Sequence, residues 1–245
     1  MSARRRWRSG LAILLLTSGP SLGGQPSPPR ESLLWLSWFE RVELNRQWYA
    51  AAEIHERRWA DPFRVHQRVW RAHLHRRLAG GPTLGVGFTY FQQGVQDPEA
   101  PALPLVAELR PHLQADLQQS VASRLSLNHR ARLEYRATPR TSGGLVTEGY
   151  TGAGRLRYRL GGDIPLGEGA RRPVVRISDE WHVMFGDRPL SFDQNRLQAG
   201  VEWPLTRSLS VETAYLWWHQ GRRDGAIINR DYLRVTFNHR IQRPS

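Results

Sequence analysis

The sequence contains no cysteine, no lysine and no long apolar run, and these absences exclude several classes of protein. Without cysteine, the 245-residue chain has neither a disulfide framework nor thiolate ligands for zinc. All 35 basic residues are therefore arginines, which we attribute in part to codon bias. No stretch approaches the roughly 20 apolar residues of a membrane-spanning helix, so the sequence predicts no transmembrane helix.

The N-terminal segment has the three parts of a secretory signal peptide. The first eight residues carry four arginines, and the short apolar stretch LAILLL follows. Small residues at Ser21 and Gly23 then match the positions that a signal peptidase reads. We predict a cleaved signal peptide over residues 1–24 and an extended, solvated leader over residues 25–32.

From residue 33 onward the dominant hydrophobic period is two, which predicts strands rather than helices. Several candidate strands are longer than the five to six residues or so that are usual in soluble proteins, and they match the roughly 9–11 residues of a membrane strand. The eleven candidates are Leu33–Leu44, Trp48–Arg57, Arg64–Leu78, Thr83–Gln92, Leu105–Leu117, Ser123–Ala137, Glu148–Leu160, Pro173–Phe185, Asp193–Trp203, Leu209–His219 and Asn229–Ile241.

The two faces of these strands differ in chemistry. In Ser123–Ala137, leucine, alanine and tyrosine occupy one face, interrupted by His129, whereas serine, asparagine, arginine and glutamate occupy the other. In Thr83–Gln92 the apolar face is opposed by threonine and glycine, which are small enough to line a crowded interior. This alternation is typical of a membrane barrel with an apolar exterior, although a soluble β-sandwich also alternates.

Aromatic placement and connection lengths favour the barrel. Most tryptophan and tyrosine residues fall near strand ends, as in the aromatic girdles at membrane interfaces. If the last strand ends in the periplasm, all the short connections lie on the periplasmic side. The short connections are 45–47, 79–82, 118–122 and 204–208, and the longer ones are 94–104, 138–147 and 221–228.

We therefore predict an all-β fold, a single antiparallel up-and-down transmembrane β-barrel of about 10–12 strands over residues 33–242, with a tail at 243–245. Eleven is an odd number, and single-chain bacterial barrels normally have an even one. We accordingly expect that one candidate strand is missed, split or outside the wall. The predicted location is the outer membrane.

Charged residues on the polar faces predict a lumen lined by arginine and glutamate. One interpretation is structural, because a small barrel compensates buried charges with ion pairs. The other is an arginine-lined pore or pocket that favours anions. The predicted lumen residues are Glu108, Arg110, Arg130, Arg132, Glu134, Arg136, Arg157, Arg176, Glu180, Arg196, Glu212 and Arg234.

Motifs for metal binding and catalysis are weak. His73 and His75 share a strand face, but neither this pair nor a second one at Glu180 and His182 has an obvious third ligand. A Ser-His-Asn arrangement built on His129 or His239 lacks a convincing serine. We predict no catalytic residue, no metal site and no cofactor.

The predicted partners follow from export to the cell envelope. The arginines alternate with apolar residues instead of forming one patch, and export separates the chain from cytoplasmic nucleic acid. We therefore predict no nucleic acid partner. Outer-membrane lipids and anionic lipopolysaccharide, with the barrel-assembly machinery for insertion, are the expected partners.

Several segments resemble a bacterial family catalogued as domain of unknown function twenty-four-ninety. The most specific segment is FDQNR at residues 192–196, and RARLEYR at 130–136 is a second. The resemblance spans about residues 33–241 and implies an outer-membrane barrel without an established activity. The residues at the matching positions are the first to test, and they are Glu108, Arg110, Arg132, Glu134, Glu180, Asn195 and Arg196. In the predicted strand, Asn195 and Arg196 point to opposite faces, so Asn195 does not share the inward face of Arg196. We therefore expect Asn195 in a loop or at a strand start.

The leading functional hypothesis is a non-enzymatic outer-membrane barrel, either structural or a narrow channel with a charged lumen. An outer-membrane lipid hydrolase or acyltransferase is one alternative. A soluble periplasmic β-protein that binds a ligand is the other.

Overall fold

The computed structural model describes residues 30–242 apart from positions 95, 102–103, 144, 170, 187–188 and 223–224. The predicted signal peptide, the first part of the predicted leader and the tail at 243–245 lie outside the described residues. The described part of the chain contains no helix long and apolar enough to span a membrane.

Eleven strands account for the regular structure of the described residues. Each overlaps one strand that the period-two pattern predicts, and the first begins at Arg30, within the segment predicted as leader. The strands are β1 (Arg30–Glu43), β2 (Trp48–Trp59), β3 (Val65–Arg77), β4 (Thr83–Gln93), β5 (Val106–Ala122), β6 (Leu125–Ser142), β7 (Leu145–Pro165), β8 (Val174–Phe185), β9 (Ser191–Pro204), β10 (Leu209–Gly221) and β11 (Ile227–Ile241).

These strands form one closed barrel in which sequence neighbours are also spatial neighbours. Every consecutive pair is antiparallel, and the ring closes where β1 pairs with β11 in parallel. The prediction of an all-β up-and-down barrel is confirmed, and the single sheet excludes the two-sheet sandwich. The expectation that one strand is missed, split or outside the wall is wrong, because a parallel closing pair accommodates an odd number of strands.

The odd number of strands places the start of β1 and the end of β11 at opposite ends of the barrel. Both β1 and β11 run in the same direction, so β1 begins at the end where β11 also begins, and both finish at the other end. We call the end where β1 begins the N-terminal end and the end where β11 finishes the C-terminal end.

The connections at the two ends of the barrel differ less in length than the sequence predicts. At the C-terminal end, the predicted short connection 118–122 belongs to β5, and residues 166–173 form an eight-residue connection there. At the N-terminal end, the predicted loop 138–147 is a hairpin in which β6 and β7 continue beyond their other neighbours, up to the pair Ser142 and Leu145. Strand pairing thus extends through a segment that was predicted to be a loop because it is rich in threonine, serine and glycine.

Period-two alternation sorts the side chains of the wall. On β6, Leu133 and Tyr135 are exposed on the outer face, whereas the alternating residues Arg132 and Glu134 are buried inside. On β4, the inward glycines accommodate imidazoles: a Cβ on Gly85 would lie 2.5 Å from His75 Nδ1. The small residues of β4 therefore leave room for large side chains from neighbouring strands.

The parallel seam can be tested by cross-linking, because the chain has no native thiol. Leu34 on β1 and Leu233 on β11 are direct partners on the outer face, so their Cα atoms are about 5 Å apart. We expect a short bifunctional thiol reagent to cross-link the Leu34→Cys, Leu233→Cys double variant, detected as a shift in denaturing gel mobility.

The matched control pairs Leu34→Cys with Leu113→Cys on β5, which is also exposed and outward but lies four strands away, or roughly 19 Å. Equal cross-linking of both variants, or none in a folded Leu34→Cys, Leu233→Cys variant, would contradict this closure.

Candidate functional site

The interior of the barrel is a network of arginine and glutamate side chains. The twelve lumen residues predicted from the sequence all occupy inward-facing positions of their strands. Glu108, Glu134 and Glu180 are buried, and each accepts hydrogen bonds from arginines of its own or an adjacent strand. Burial of this many charges requires such pairing, since an isolated buried charge is costly.

Glu134 is the centre of the network. Its side chain is 1% exposed and accepts hydrogen bonds from Arg155 and from Arg157, the latter at 2.8 Å. Arg132 lies 3.7 Å away and donates to Gln114 at 2.8 Å. Because Arg157 also donates to Glu180 at 2.8 Å, the pairing continues across β6, β7 and β8.

Glu108 forms a second centre on β5. Arg110 donates to both of its carboxylate oxygens, at 2.9 and 2.8 Å, and Arg136 donates to the same oxygens at 2.5 and 3.0 Å. Arg110 also stacks over Phe91, with its guanidinium carbon 3.7 Å from the ring centroid. Two bidentate arginines therefore satisfy one carboxylate.

The remaining predicted residues lie in two groups. Arg130 pairs with Asp116 at 2.9 Å, and Arg176 contacts Glu212 at 3.3 Å, closer to the C-terminal end. Arg196 and Arg234 differ, because within the described chain no carboxylate oxygen lies within 4.0 Å of either. The guanidinium carbon of Arg196 instead lies 4.0 Å from the Trp218 ring centroid, and Arg234 donates to Gln198 at 2.8 Å.

A histidine–carboxylate chain was not among the predicted lumen residues. Buried Glu53 accepts hydrogen bonds from Arg71, from His55 Nε2 at 2.9 Å and from His73 Nε2 at 3.0 Å. His55 Nδ1 then accepts from Trp35 at 3.2 Å, so the hydrogen-bond pattern assigns His55 as the Nε2–H tautomer. The sequence feature that could have revealed this chain is the two-residue spacing of Glu53 and His55.

Two polar cavities lie inside the barrel. The larger, of about 640 Å³, occupies the C-terminal end, where Arg41, Tyr49 and Arg240 contribute to its lining. The smaller, of about 80 Å³, lies deeper, among Trp35, Arg57 and other side chains. Residues shared by the two cavities make the larger one a vestibule to the smaller.

Towards the N-terminal end an apolar cluster fills the lumen. Its members are buried and come from β1, β2, β10 and β11; they are Leu33, Trp35, Trp59, Leu216, Trp218 and Tyr232. The loop after β4 is tied to this end, because Arg64 donates to the carbonyls of Pro98 and Ala100 at 2.7 Å each. The described residues therefore place the larger cavity at the C-terminal end of the lumen and tightly packed side chains at the other.

The segment FDQNR links β9 to both neighbouring strands and to β7. Inward Gln194 donates to His182 Nδ1 at 2.7 Å, and Asp193 lies 3.3 Å from Arg155 of β7. Asn195 was expected in a loop or at a strand start, and this is wrong: it is the fifth residue of β9 and faces outward. There it donates to Asp179, which also accepts from Trp181 Nε1 at 2.6 Å.

The histidines considered for catalysis have other partners. His129 is hydrogen-bonded to the Tyr158 hydroxyl at 2.7 Å, and His239 to Glu40 at 2.9 Å. Neither imidazole contacts a serine hydroxyl within the described ranges. No group of three histidine, cysteine, aspartate or glutamate side chains in these ranges has the geometry to hold a metal ion.

Comparison with known proteins gives one family match. A family model described as "Protein of unknown function (DUF2490)" matches residues 33–229. A search of curated proteins finds no significant match. Among solved structures, the β domain of the Bordetella autotransporter Brka matches with a TM-score of 0.45 at 17% identity, over 75% of this chain and 79% of that one.

Removing the central carboxylate tests the network. Glu134→Gln would leave Arg132, Arg155 and Arg157 without their shared counter-charge, so we expect a loss of about 3–5 kcal/mol in the free energy of unfolding. The measurement is denaturant unfolding of the purified protein in detergent, followed by tryptophan fluorescence.

The matched control is Glu148→Gln, since Glu148 is an exposed carboxylate on β7. We expect this change to alter the free energy of unfolding by no more than about 0.5 kcal/mol. Similar effects of both substitutions would show that Glu134 does not organise the lumen.

Proposed function

The chain belongs to the DUF2490 family, and we propose that it is an integral β-barrel of the bacterial outer membrane whose lumen is closed to through-flow at rest. The single observation that carries the proposal is the barrel wall itself, which is apolar outside and charged inside. We propose further that it is not an enzyme and serves as a structural or binding barrel.

The outer face of the wall suits a lipid environment. Leucines, valines and isoleucines such as Leu36, Val86 and Ile177 are about half exposed there, which in water would be an unfavourable apolar surface. All eleven strands have at least the roughly 9–11 residues needed to cross a bilayer. Closure also leaves no unpaired strand edge in contact with hydrocarbon.

Outward aromatic residues support two membrane interfaces. Trp48 and Trp203 lie near the C-terminal end, whereas Tyr90, Tyr135 and Trp217 lie near the N-terminal end. Amphipathic rings favour the headgroup level on both sides of a bilayer. The two groups therefore support a belt of lipid contact between them.

The proposed orientation places the N-terminal end outside the cell. The protruding hairpin of β6 and β7 and the loop tied down by Arg64 are both at this end, which matches the longer outer loops of such barrels. Arg58 and Arg68, outward and near this end, share the single carboxylate of Glu56, and the remaining positive charge suits anionic lipopolysaccharide as a partner. Insertion would use the barrel-assembly machinery.

Thiol labelling of cells tests both membrane placement and orientation. Ser32 lies at the start of β1 and Gln242 directly after β11, and both are exposed. We expect a membrane-impermeant maleimide to label Ser32→Cys in intact cells and to label Gln242→Cys only after the outer membrane is permeabilised. Equal labelling of the two in intact cells would contradict the membrane placement, and the reverse pattern would contradict the orientation.

The closed lumen predicts electrical silence. In planar bilayers we expect no steady conductance from the purified protein, because the aromatic cluster and the ion-pair network block the path. Trp218→Ala removes one side of the cluster and is expected to increase the frequency of brief openings. Its matched control is Trp217→Ala, since Trp217 lies next to Trp218 on the outer face. Steady conductance of the unmodified protein would establish an open channel and overturn the closed state.

A further inference from the structure

Four arginines deep in the lumen make no direct ion pair with a carboxylate of the described residues. In the described part of the chain, no carboxylate oxygen lies within 4.0 Å of Arg57, Arg159, Arg196 or Arg234. The Nε atom of each is buried and makes no hydrogen bond. Arg57 is only 4% exposed. Since buried unpaired charge is costly, these side chains together indicate a place for a counter-charge.

All four arginines line the same small cavity. Its lining includes seven arginines in total but only two carboxylates, those of Glu53 and Glu180. Both carboxylates are already engaged, Glu53 by Arg71 and Glu180 by Arg157. The side chains that line the cavity therefore carry a large excess of positive charge.

Tryptophan rings hold three of the four arginines in place. The guanidinium carbons of Arg57 and Arg234 lie 3.7 and 4.4 Å from the Trp35 ring centroid, and that of Arg196 lies 4.0 Å from the Trp218 centroid. A guanidinium that stacks on a ring uses its face and leaves the N–H groups of its edge available. Edge N–H groups are the donors that bind oxyanions in a bidentate manner.

From this arrangement we propose that the inner cavity binds a small tetrahedral oxyanion, with phosphate, free or at the end of a small monoester, as the best fit. The volume of about 80 Å³ holds roughly two to three waters at about 30 Å³ each, which suits one such group. A larger ligand would have to extend into the vestibule. Arg57, Arg159, Arg196 and Arg234 supply the donors.

The vestibule provides the route to this site. Arg130, Arg159, Arg234, Ser178 and Gln198 line both cavities, so the larger cavity leads directly to the smaller one. It has room for the remainder of a monoester, and its own arginines attract anions. In the orientation that the proposed function gives, anions enter the vestibule from the periplasm. Binding to the inner cavity does not depend on that orientation.

Calorimetry on the purified full-length protein in detergent tests the proposal. The probes are inorganic phosphate and glycerol 3-phosphate, with chloride at equal ionic strength as the reference. We expect saturable binding of phosphate or of the monoester, and no saturable heat with chloride. The tighter of the two probes then identifies whether the free ion or a terminal phosphate group is the ligand.

Two variants, Arg159→Gln and Arg196→Gln, each remove one donor. We expect each to weaken binding at least about tenfold, as for the loss of a charge-assisted contact. Because each also removes an unpaired buried charge, its anion-free thermal stability is expected to equal or exceed that of the unmodified protein. A paired structural arginine would show the opposite change in stability.

The matched control is Arg76→Gln, since Arg76 is an exposed arginine on the outer face of β3. We expect its affinity for phosphate to be unchanged. Absence of saturable binding of both phosphate probes to the unmodified protein would overturn the proposal, as would undiminished affinity in both lumen variants. These measurements need no membrane, so their failure is distinguishable from a failure of the proposed location.

Discussion

Closure of a single sheet upon itself is the constraint on which the rest of this structure depends. In a closed sheet every second side chain must enter a confined lumen, and no strand edge is left to relax the pattern. With eleven strands the lumen is wider than in the smallest barrels, which ordinary side chains fill, and narrower than in porins, which keep an aqueous channel. Long arginine side chains suit that intermediate width.

The charges inside the barrel are accommodated in two different ways. Around Glu108 and Glu134, arginines and carboxylates compensate each other and leave little space. Around Trp35 and Trp218, the arginines stack on aromatic rings and leave a cavity. The first region fixes the strands relative to one another, whereas the second retains unused hydrogen-bond donors. The lumen thus combines a structural region with a region suited to binding.

The sequence predicts the strands and the inward faces well because both depend on local alternation. It does not predict how the first and last strands pair, since that contact joins residues about 200 positions apart, such as Leu34 and Leu233. For the same reason it identifies Glu134 as inward without identifying Arg155 as its partner. Cross-strand register brings His73 to Glu53, and no local pattern reveals it. Asn195 was misplaced because a polar residue on an outer face resembles a loop residue.

The parallel seam also limits how the chain of this barrel could be rejoined. In an up-and-down barrel with an even number of strands, the first strand begins where the last one finishes, so a short loop could connect them. With eleven strands, β1 begins and β11 finishes at opposite ends of the barrel. A circular permutant would therefore need a linker that spans the length of a whole strand, since 13 paired residues at about 3.3 Å each cover the seam.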